Sequence, residues 1–201
     1  MKPQAHWQDV YSSKDETSLS WFQKRPDTSL RLISDCVQPG ANIIDAGGGA
    51  SCLADHLVEL GHRVTVLDIA QAALAKAKTR LGSRASKLNW VVADVTDWRP
   101  EKRFDLWHDR AVFHFLSHEQ ERQAYASVMA AAVKSGGYAV IGTFALNGPE
   151  TCSGLKVCRY DAKGLAAEFN RDFVLTDDLV EEHLTPGGKV QIFQFSVLRR
   201  L

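Results

Sequence analysis

The segment Asp45-Ala46-Gly47-Gly48-Gly49-Ala50-Ser51 carries the densest chemical signal in this 201-residue chain. Consecutive glycines remove the Cβ barrier and let a ligand approach the backbone closely. Asp68 stands about twenty residues further on, where a carboxylate can accept hydrogen bonds from both hydroxyls of a ribose. Together these features predict a nucleoside-containing cofactor. A dinucleotide fingerprint would place a further glycine three positions beyond Gly49, and Cys52 stands there instead. Asp45, at the mouth of the loop, would repel a pyrophosphate but would accept hydrogen bonds from an ammonium group. A third acid, in Ala93-Asp94-Val95, offers an acceptor for an adenine amino group beside an apolar neighbour for the ring. Asp94 has a second reading, as a residue that ends a strand in a turn.

A second cluster runs His108-Asp109-Arg110-Ala111-Val112-Phe113-His114-Phe115-Leu116. It holds an acid, a guanidinium and a base among apolar residues, so Asp109 and His114 are the candidates for acid–base duty and Arg110 for orienting an acceptor. The alternative is an Asp-Arg pair that fixes the loop, with His114 packed in the core. A third segment, Thr143 to Leu155, is a long loop whose Cys152 is either an acceptor-site thiol or an inert buried one. His114 and His118 have i,i+4 spacing but no third ligand nearby, and no metal is expected.

These residues need a scaffold that brings them to one edge. Asn42–Asp45, Arg63–Asp68, Asn89–Asp94 and Phe104–Asp109 are short β-rich runs, each ending on aspartate. A fifth, Tyr138–Phe144, follows the Gly136-Gly137 turn. Helical patterns lie between them at Leu53–Leu60 with Ser51 as cap, at Gln71–Leu81, and at His118–Val133 opened by Ser117-His118-Glu119-Gln120 as a capping box. Such alternation predicts crossover units on a parallel sheet, with the acidic strand ends sharing a ligand-binding edge. After a helix near Lys163–Phe169, the runs Phe173–Thr176 and Val190–Val197 flank Pro186-Gly187-Gly188. The last run alternates apolar and polar residues, as an antiparallel strand with two different faces does.

Taken together, the chain resembles the class I S-adenosylmethionine-dependent methyltransferases from Ile43 to its C-terminus. Ile44-Asp45-Ala46-Gly47-Gly48-Gly49 is similar to that family's acidic-x-Gly-x-Gly loop, Asp68 to its ribose acid, Ala93-Asp94-Val95 to its adenine contact, and Lys134-Ser135-Gly136-Gly137-Tyr138 to its turn before the fifth strand. The resemblance implies an α/β fold: a seven-stranded, mostly parallel sheet, helices on both faces and a C-terminal antiparallel hairpin. It implies S-adenosyl-L-methionine as cofactor, held by Trp21, Asp45, Gly47, Gly49, Asp68, Ile69, Asp94, Val95 and Asp109. The acceptor would meet Arg110, His114 and Cys152, with Asp109 and His114 catalytic. Gly48 departs from the family, which often carries a larger residue there; it is expected to add backbone freedom without changing the chemistry. The Asp-Arg pair with Arg122 and Tyr125 is similar to the thiopurine and tellurite-resistance branch, so a thiol or metalloid anion is the expected acceptor. Protein-lysine methylation stands as the alternative, and a nicotinamide-dependent oxidoreductase as a more distant one.

Composition narrows the partners. Lysine and arginine total 24, as do aspartate and glutamate, so no global positive field would gather nucleic acid or an anionic membrane. No apolar stretch approaches the ~20 residues of a membrane span, and Met1-Lys2-Pro3-Gln4-Ala5-His6 has charge and proline where a signal peptide needs an apolar run. A single cytoplasmic domain over residues 1–201 is expected, acting on a small molecule, with no sequence signal for its oligomeric state. Cysteines 36, 52, 152 and 158 form no CxxC pair and are expected to be free. Residues 1–28, with Trp7, Tyr11, Trp21 and Phe22, read either as a lid over the sheet edge or as packing outside a core of residues 29–201.

Overall fold

The computed structural model describes residues 3–201; Met1 and Lys2, the first two residues of the expected lid, lie outside them. In chain order the helices are α1 (Pro3–Ser13), α2 (Asp27–Cys36), α3 (Leu53–Glu59), α4 (Gln71–Leu81), α5 (Glu119–Ala132) and α6 (Ala162–Phe169). The strands are β1 (Asn42–Ala46), β2 (Arg63–Asp68), β3 (Asn89–Val92), β4 (Phe104–Arg110), β5 (Val133–Phe144), the two-residue pair β6 (Thr151–Cys152) and β7 (Leu155–Lys156), β8 (Phe173–Leu184) and β9 (Val190–Arg200).

Seven strands form one sheet in the order β3-β2-β1-β4-β5-β9-β8. The first five are mutually parallel, and β9 is inserted antiparallel to both β5 and β8. This is the expected class, including the closing hairpin through Pro186-Gly187-Gly188. Parallel strands joined by helical crossovers are covered on both faces, which is why β1 and β2 read as continuous apolar runs. Ile43 and Ile44 are both fully buried but face opposite ways, as the two-residue strand period requires. Ile43 joins Leu30, Ile33, Val64, Leu106 and Phe195 under α2 and α3. Ile44 joins Leu67, Trp107, Tyr125, Met129, Leu165 and Phe169 under α5 and α6.

Several boundaries differ from expectation. β3 stops at Val92, leaving Asp94 in the following turn. β5 starts at Val133, and its pairing with β4 shifts register between Phe104 and Leu106 around Gly136, whose φ is +74°. The cap of α5 is His118, whose N–H donates to the Glu121 carboxylate at 3.2 Å, so the capping pair lies one residue beyond Ser117. The aromatic N-terminal segment begins with a helix: Tyr11 and Val10 on α1 pack with Leu19, Ala50, Ala70 and Ala73. Among the described residues, no helix is long and apolar enough to cross a membrane.

Candidate active site

At the end of β1 the chain turns through Gly47, whose N–H donates to the Leu67 carbonyl at 2.6 Å and pins the loop against β2. Gly47 has φ +68°, and a Cβ there would lie 1.9 Å from Val112 Cγ2. Gly49, at φ +45°, would put a Cβ 2.7 Å from Asp68 Oδ2. Both positions require glycine for space as well as conformation. Gly48 is the correction: a Cβ there would stand 2.4 Å from Asp45 Oδ2 and 2.9 Å from Val66 Cγ1. Its role is to make room for the carboxylate, beyond any gain in backbone freedom. Beyond the glycines, Arg80 of α4 holds the loop from outside. Its guanidinium donates to the carbonyls of Ala50 (2.8 Å) and Ser51 (2.7 Å) and pairs with Glu16 (2.8 Å) and Asp55 (2.9 Å).

Asp45 and His108 are direct partners across the β1–β4 register, so their side chains share a face. The His108 Nδ1–H donates to Asp45 Oδ1 at 2.7 Å, and its Nε2 accepts the Ser29 hydroxyl at 2.9 Å. All three residues are buried, and Asp45 Oδ2 has no hydrogen-bond partner. At the end of β2, Asp68 accepts the Ala70 N–H at 2.7 Å. Burial, reinforced by the charge of Asp45, lifts the Asp68 carboxyl to about 7. Asp94 Oδ1 accepts both the N–H and the hydroxyl of Thr96, at 2.9 and 2.7 Å. Asp94 therefore closes a turn and also faces the cavity described next.

A cavity of about 320 Å³ opens at these strand ends. Asp68, Ile69, Asp94 and Val95 line one part of it, while Arg110, Phe115, Cys152 and Leu155 line another. Trp7, Tyr11 and Trp21 of the N-terminal segment complete the wall. A smaller cavity of about 50 Å³ shares Tyr11, Trp21, Gly47 and Arg110 with the larger one and reaches Ser29, Asp45 and His108. The N-terminal segment is thus a wall of the site as well as a packing element. It is tied to the C-terminal hairpin by two bonds and to the end of β4 by a third. His183 Nε2–H donates to the Ser20 carbonyl at 2.7 Å, Gln23 donates to Glu181 at 3.4 Å, and Arg110 Nη1 donates to the Trp21 carbonyl at 3.0 Å.

Two expected catalytic residues are not on this wall. Asp109 is fully buried and accepts the Val112 and Phe113 N–H groups at 2.8 and 3.0 Å and the Tyr125 hydroxyl at 2.6 Å. It folds the turn after β4, in which Ala111 adopts φ +75°. Its carboxylate meets neither cofactor space nor acceptor space. His114 is also fully buried, packed on Phe115 and Phe144, and its Nδ1 accepts the Phe144 N–H at 3.4 Å. Burial first, and the Arg110 charge second, push its imidazole down to about 3, which makes it a poor proton acceptor at neutral pH. Cys152 does reach the cavity, but burial pushes its thiol up to about 12, so it stays protonated.

Arg110 does reach both cavities. Its guanidinium lies 4.2 Å from the Phe193 ring centroid and 3.6 Å from Glu181 Oε2, leaving Nε and Nη2 buried with no hydrogen-bond acceptor among the described residues. Trp7 and Tyr11 are legible as part of the aromatic N-terminal segment, whereas His6, Ser29 and His108 carry no motif signal of their own. Trp7, Val10 and Tyr11 do stand at i, i+3 and i+4, the spacing of one helical face.

Residues 43–137 match the family described as methyltransferase domain. The chain has the fold of the class I methyltransferases. Nodulation protein S of Rhizobium tropici is 25% identical to the chain over 122 residues, covering 61% of the chain and 51% of that protein. Thiocyanate methyltransferase 1 of Arabidopsis thaliana is 34% identical over 113 residues, covering 55% and 46%. The chain thus spans about half the length of these curated relatives. Among solved structures, the N-methyltransferase NodS of Bradyrhizobium japonicum WM9 bound to S-adenosyl-L-homocysteine superposes with a TM-score of 0.75 at 14% identity, covering 98% of both chains.

S-adenosylmethionine is the cofactor of this methyltransferase class, and the residues present fit it. The glycine loop is a cradle that any Cβ would fill. The partnerless Asp45 oxygen suits an ammonium group, and Asp68, at the end of the neighbouring strand, lines the larger cavity with a carboxylate that can accept ribose hydroxyls.

Proposed function

We propose that the chain is an S-adenosylmethionine-dependent methyltransferase acting on a small, soft nucleophile, a thiol or a metalloid anion. Asp45 and Gly47 would hold the amino-acid end of the cofactor, Asp68 and Gly49 the ribose, and Ile69, Asp94 and Val95 the adenine, with Trp21 closing over it. When bound, the cofactor supplies an electrophilic methyl group on a sulfonium. An acceptor attacks it with its own electron pair, and a neutral thioether leaves.

The observation that carries the acceptor class is Arg110: a buried guanidinium with two N–H-bearing nitrogens lacking a hydrogen-bond acceptor, beside Phe115, Cys152 and Leu155 in a cavity whose other part holds the acids Asp68 and Asp94. Such a group favours an anion, because its own desolvation is offset when the anion arrives. Neither Asp109 nor His114 reaches the cavity to take a proton, which suits a nucleophile that ionises unaided. Trp7, Phe115, Leu116 and Leu155 would exclude water and orient it. Cys152 is then a protonated wall residue beside Arg110 and forms no bond with the acceptor.

One observation favours a second reading, an amine acceptor, with protein lysine among the amines. His6 lines the cavity and its buried Nε2 has no partner, so it could accept the proton an amine must lose. Labelled cofactor offered separately to thiols, oxyanions, amines and lysate proteins tests the choice. Turnover of thiols or metalloid anions, unaffected by His6→Ala, is the expected result. Label on amines or on a lysate protein alone, abolished by His6→Ala, would promote the second reading.

A further inference from the structure

The interaction between Asp45 and His108 has a consequence for how the cofactor is held. Asp45 has two carboxylate oxygens in different circumstances: Oδ1 accepts from His108, and Oδ2 is buried without a partner beside the smaller cavity. That cavity, about 50 Å³, is too small for a nucleoside and is lined by Asp45, His108, Ser29, Gly47, Gly48 and Arg110, among others. It therefore fits the amino-acid end of the cofactor. A free aspartate can rotate about two side-chain torsions, and an ammonium ligand would have to freeze them at a cost. Here the torsions are already fixed. The His108 ring is itself fixed at its far nitrogen by the Ser29 hydroxyl on α2, in a site where all three side chains are at most 3% exposed.

Building on the cofactor reading above, we infer that Ser29 and His108 form a positioning chain that fixes Asp45 so that its free oxygen receives the ammonium of the cofactor's amino-acid moiety. His108 touches neither the sulfonium nor the acceptor; it acts through Asp45. The chain works on one end of the ligand only, and this separates it from a general structural role. S-adenosylhomocysteine carries the ammonium, and 5′-methylthioadenosine has the same nucleoside without it. Disturbing His108 should weaken the first and spare the second.

The test is calorimetric titration of both ligands into wild type, His108→Leu, His108→Asn and Ser29→Ala. His108→Leu should lose affinity for S-adenosylhomocysteine by about tenfold or more, the scale of a charge-assisted hydrogen bond, and keep its affinity for 5′-methylthioadenosine within about twofold. Asn carries an N–H donor near the position of Nδ1, so His108→Asn should recover most of the loss. Equal losses for the two ligands, or none for either, would overturn the inference. Should His108→Leu fail to fold, Ser29→Ala decides: a loss of about threefold confined to S-adenosylhomocysteine supports the chain, and unchanged binding of both ligands overturns it. If wild type binds neither ligand, the cofactor reading itself falls and takes this inference with it. Wild-type binding of both, with no selective loss in the variants, refutes the positioning chain alone.

Discussion

Adding one methyl group at Gly48 should damage both stability and cofactor binding, by amounts that follow from the loop's geometry. The Cβ of Gly48→Ala would lie 2.4 Å from Asp45 Oδ2 and 2.9 Å from Val66 Cγ1. Comfortable contact begins near about 3.5 Å, so the carboxylate must retreat by about 1 Å. It cannot do so without disturbing the 2.7 Å bond from His108. Losing a hydrogen bond to a charged group costs about 1.5–3 kcal/mol. In a chain of this length each kcal/mol lowers Tm by about 2–4 °C, which gives a fall of about 3–12 °C. The displaced oxygen is also the one assigned to the cofactor ammonium, so affinity for S-adenosylhomocysteine should drop about 10- to 100-fold. Thermal melts and calorimetric titration measure the two effects. Gly187→Ala in the hairpin loop is the control, since a Cβ there meets only Thr185 Oγ1 at 3.9 Å. A Gly48→Ala protein with wild-type Tm and affinity would refute the reasoning, as would an equal loss in the control.

Further outcomes follow from other residues. Asp68 is lifted to about 7 by burial and then by Asp45. Its ionised form is the acceptor for two hydroxyls, so S-adenosylhomocysteine should bind more tightly as pH climbs through about 7, while Asp68→Asn shows a flat profile and Asp68→Ala loses about 2 kcal/mol or more in a titration. The sign reverses for folding of the ligand-free protein: a raised carboxyl contributes most stability below about pH 4 and loses it as pH rises through about 7, which denaturant melts at several pH values would follow. Arg110→Met should raise the acceptor KM about tenfold or more with a smaller change in kcat, and an unchanged KM in steady-state kinetics would remove the anion-binding role. The Tyr125 hydroxyl donates to Asp109 and accepts from Trp107 Nε1 at 2.8 Å, so Tyr125→Phe should cost about 1–3 kcal/mol in urea unfolding. Deleting residues 1–24 should leave a folded sheet, visible by circular dichroism, that binds S-adenosylhomocysteine more weakly because Trp7, Tyr11 and Trp21 no longer wall the cavity.

The parallel half of the fold was legible because strands buried on both faces leave uninterrupted apolar runs, and β2 and α4 have the bounds their sequences imply. The glycine loop and Asp68 were legible for a similar reason: local backbone demands and a short sequence separation carry the signal. What escaped depends on contacts between distant segments. Motif position puts Asp109 and His114 beside the acceptor, but the turn after β4 uses Asp109 as an internal acceptor and folds His114 into the core. His108 looks like an ordinary strand residue until β4 is placed beside β1 and its ring meets Asp45. Gly48 likewise looks permissive until the carboxylate that fills its empty side is located.

The two bonds between residues 20–23 and the last hairpin bear on how this chain can vary among relatives. Neither β8 nor β9 supplies a residue to either cavity, yet His183 and Glu181 on β8 help hold the segment that contains Trp21. The bond from His183 to Ser20 joins positions 163 residues apart in sequence. The Ser20 end is a backbone carbonyl that any residue supplies, whereas Gln23 and Glu181 meet through their side chains, so the latter two positions are expected to drift as a pair. Covariation between positions 23 and 181 would then mark a constraint from the site on a strand that never touches the ligand.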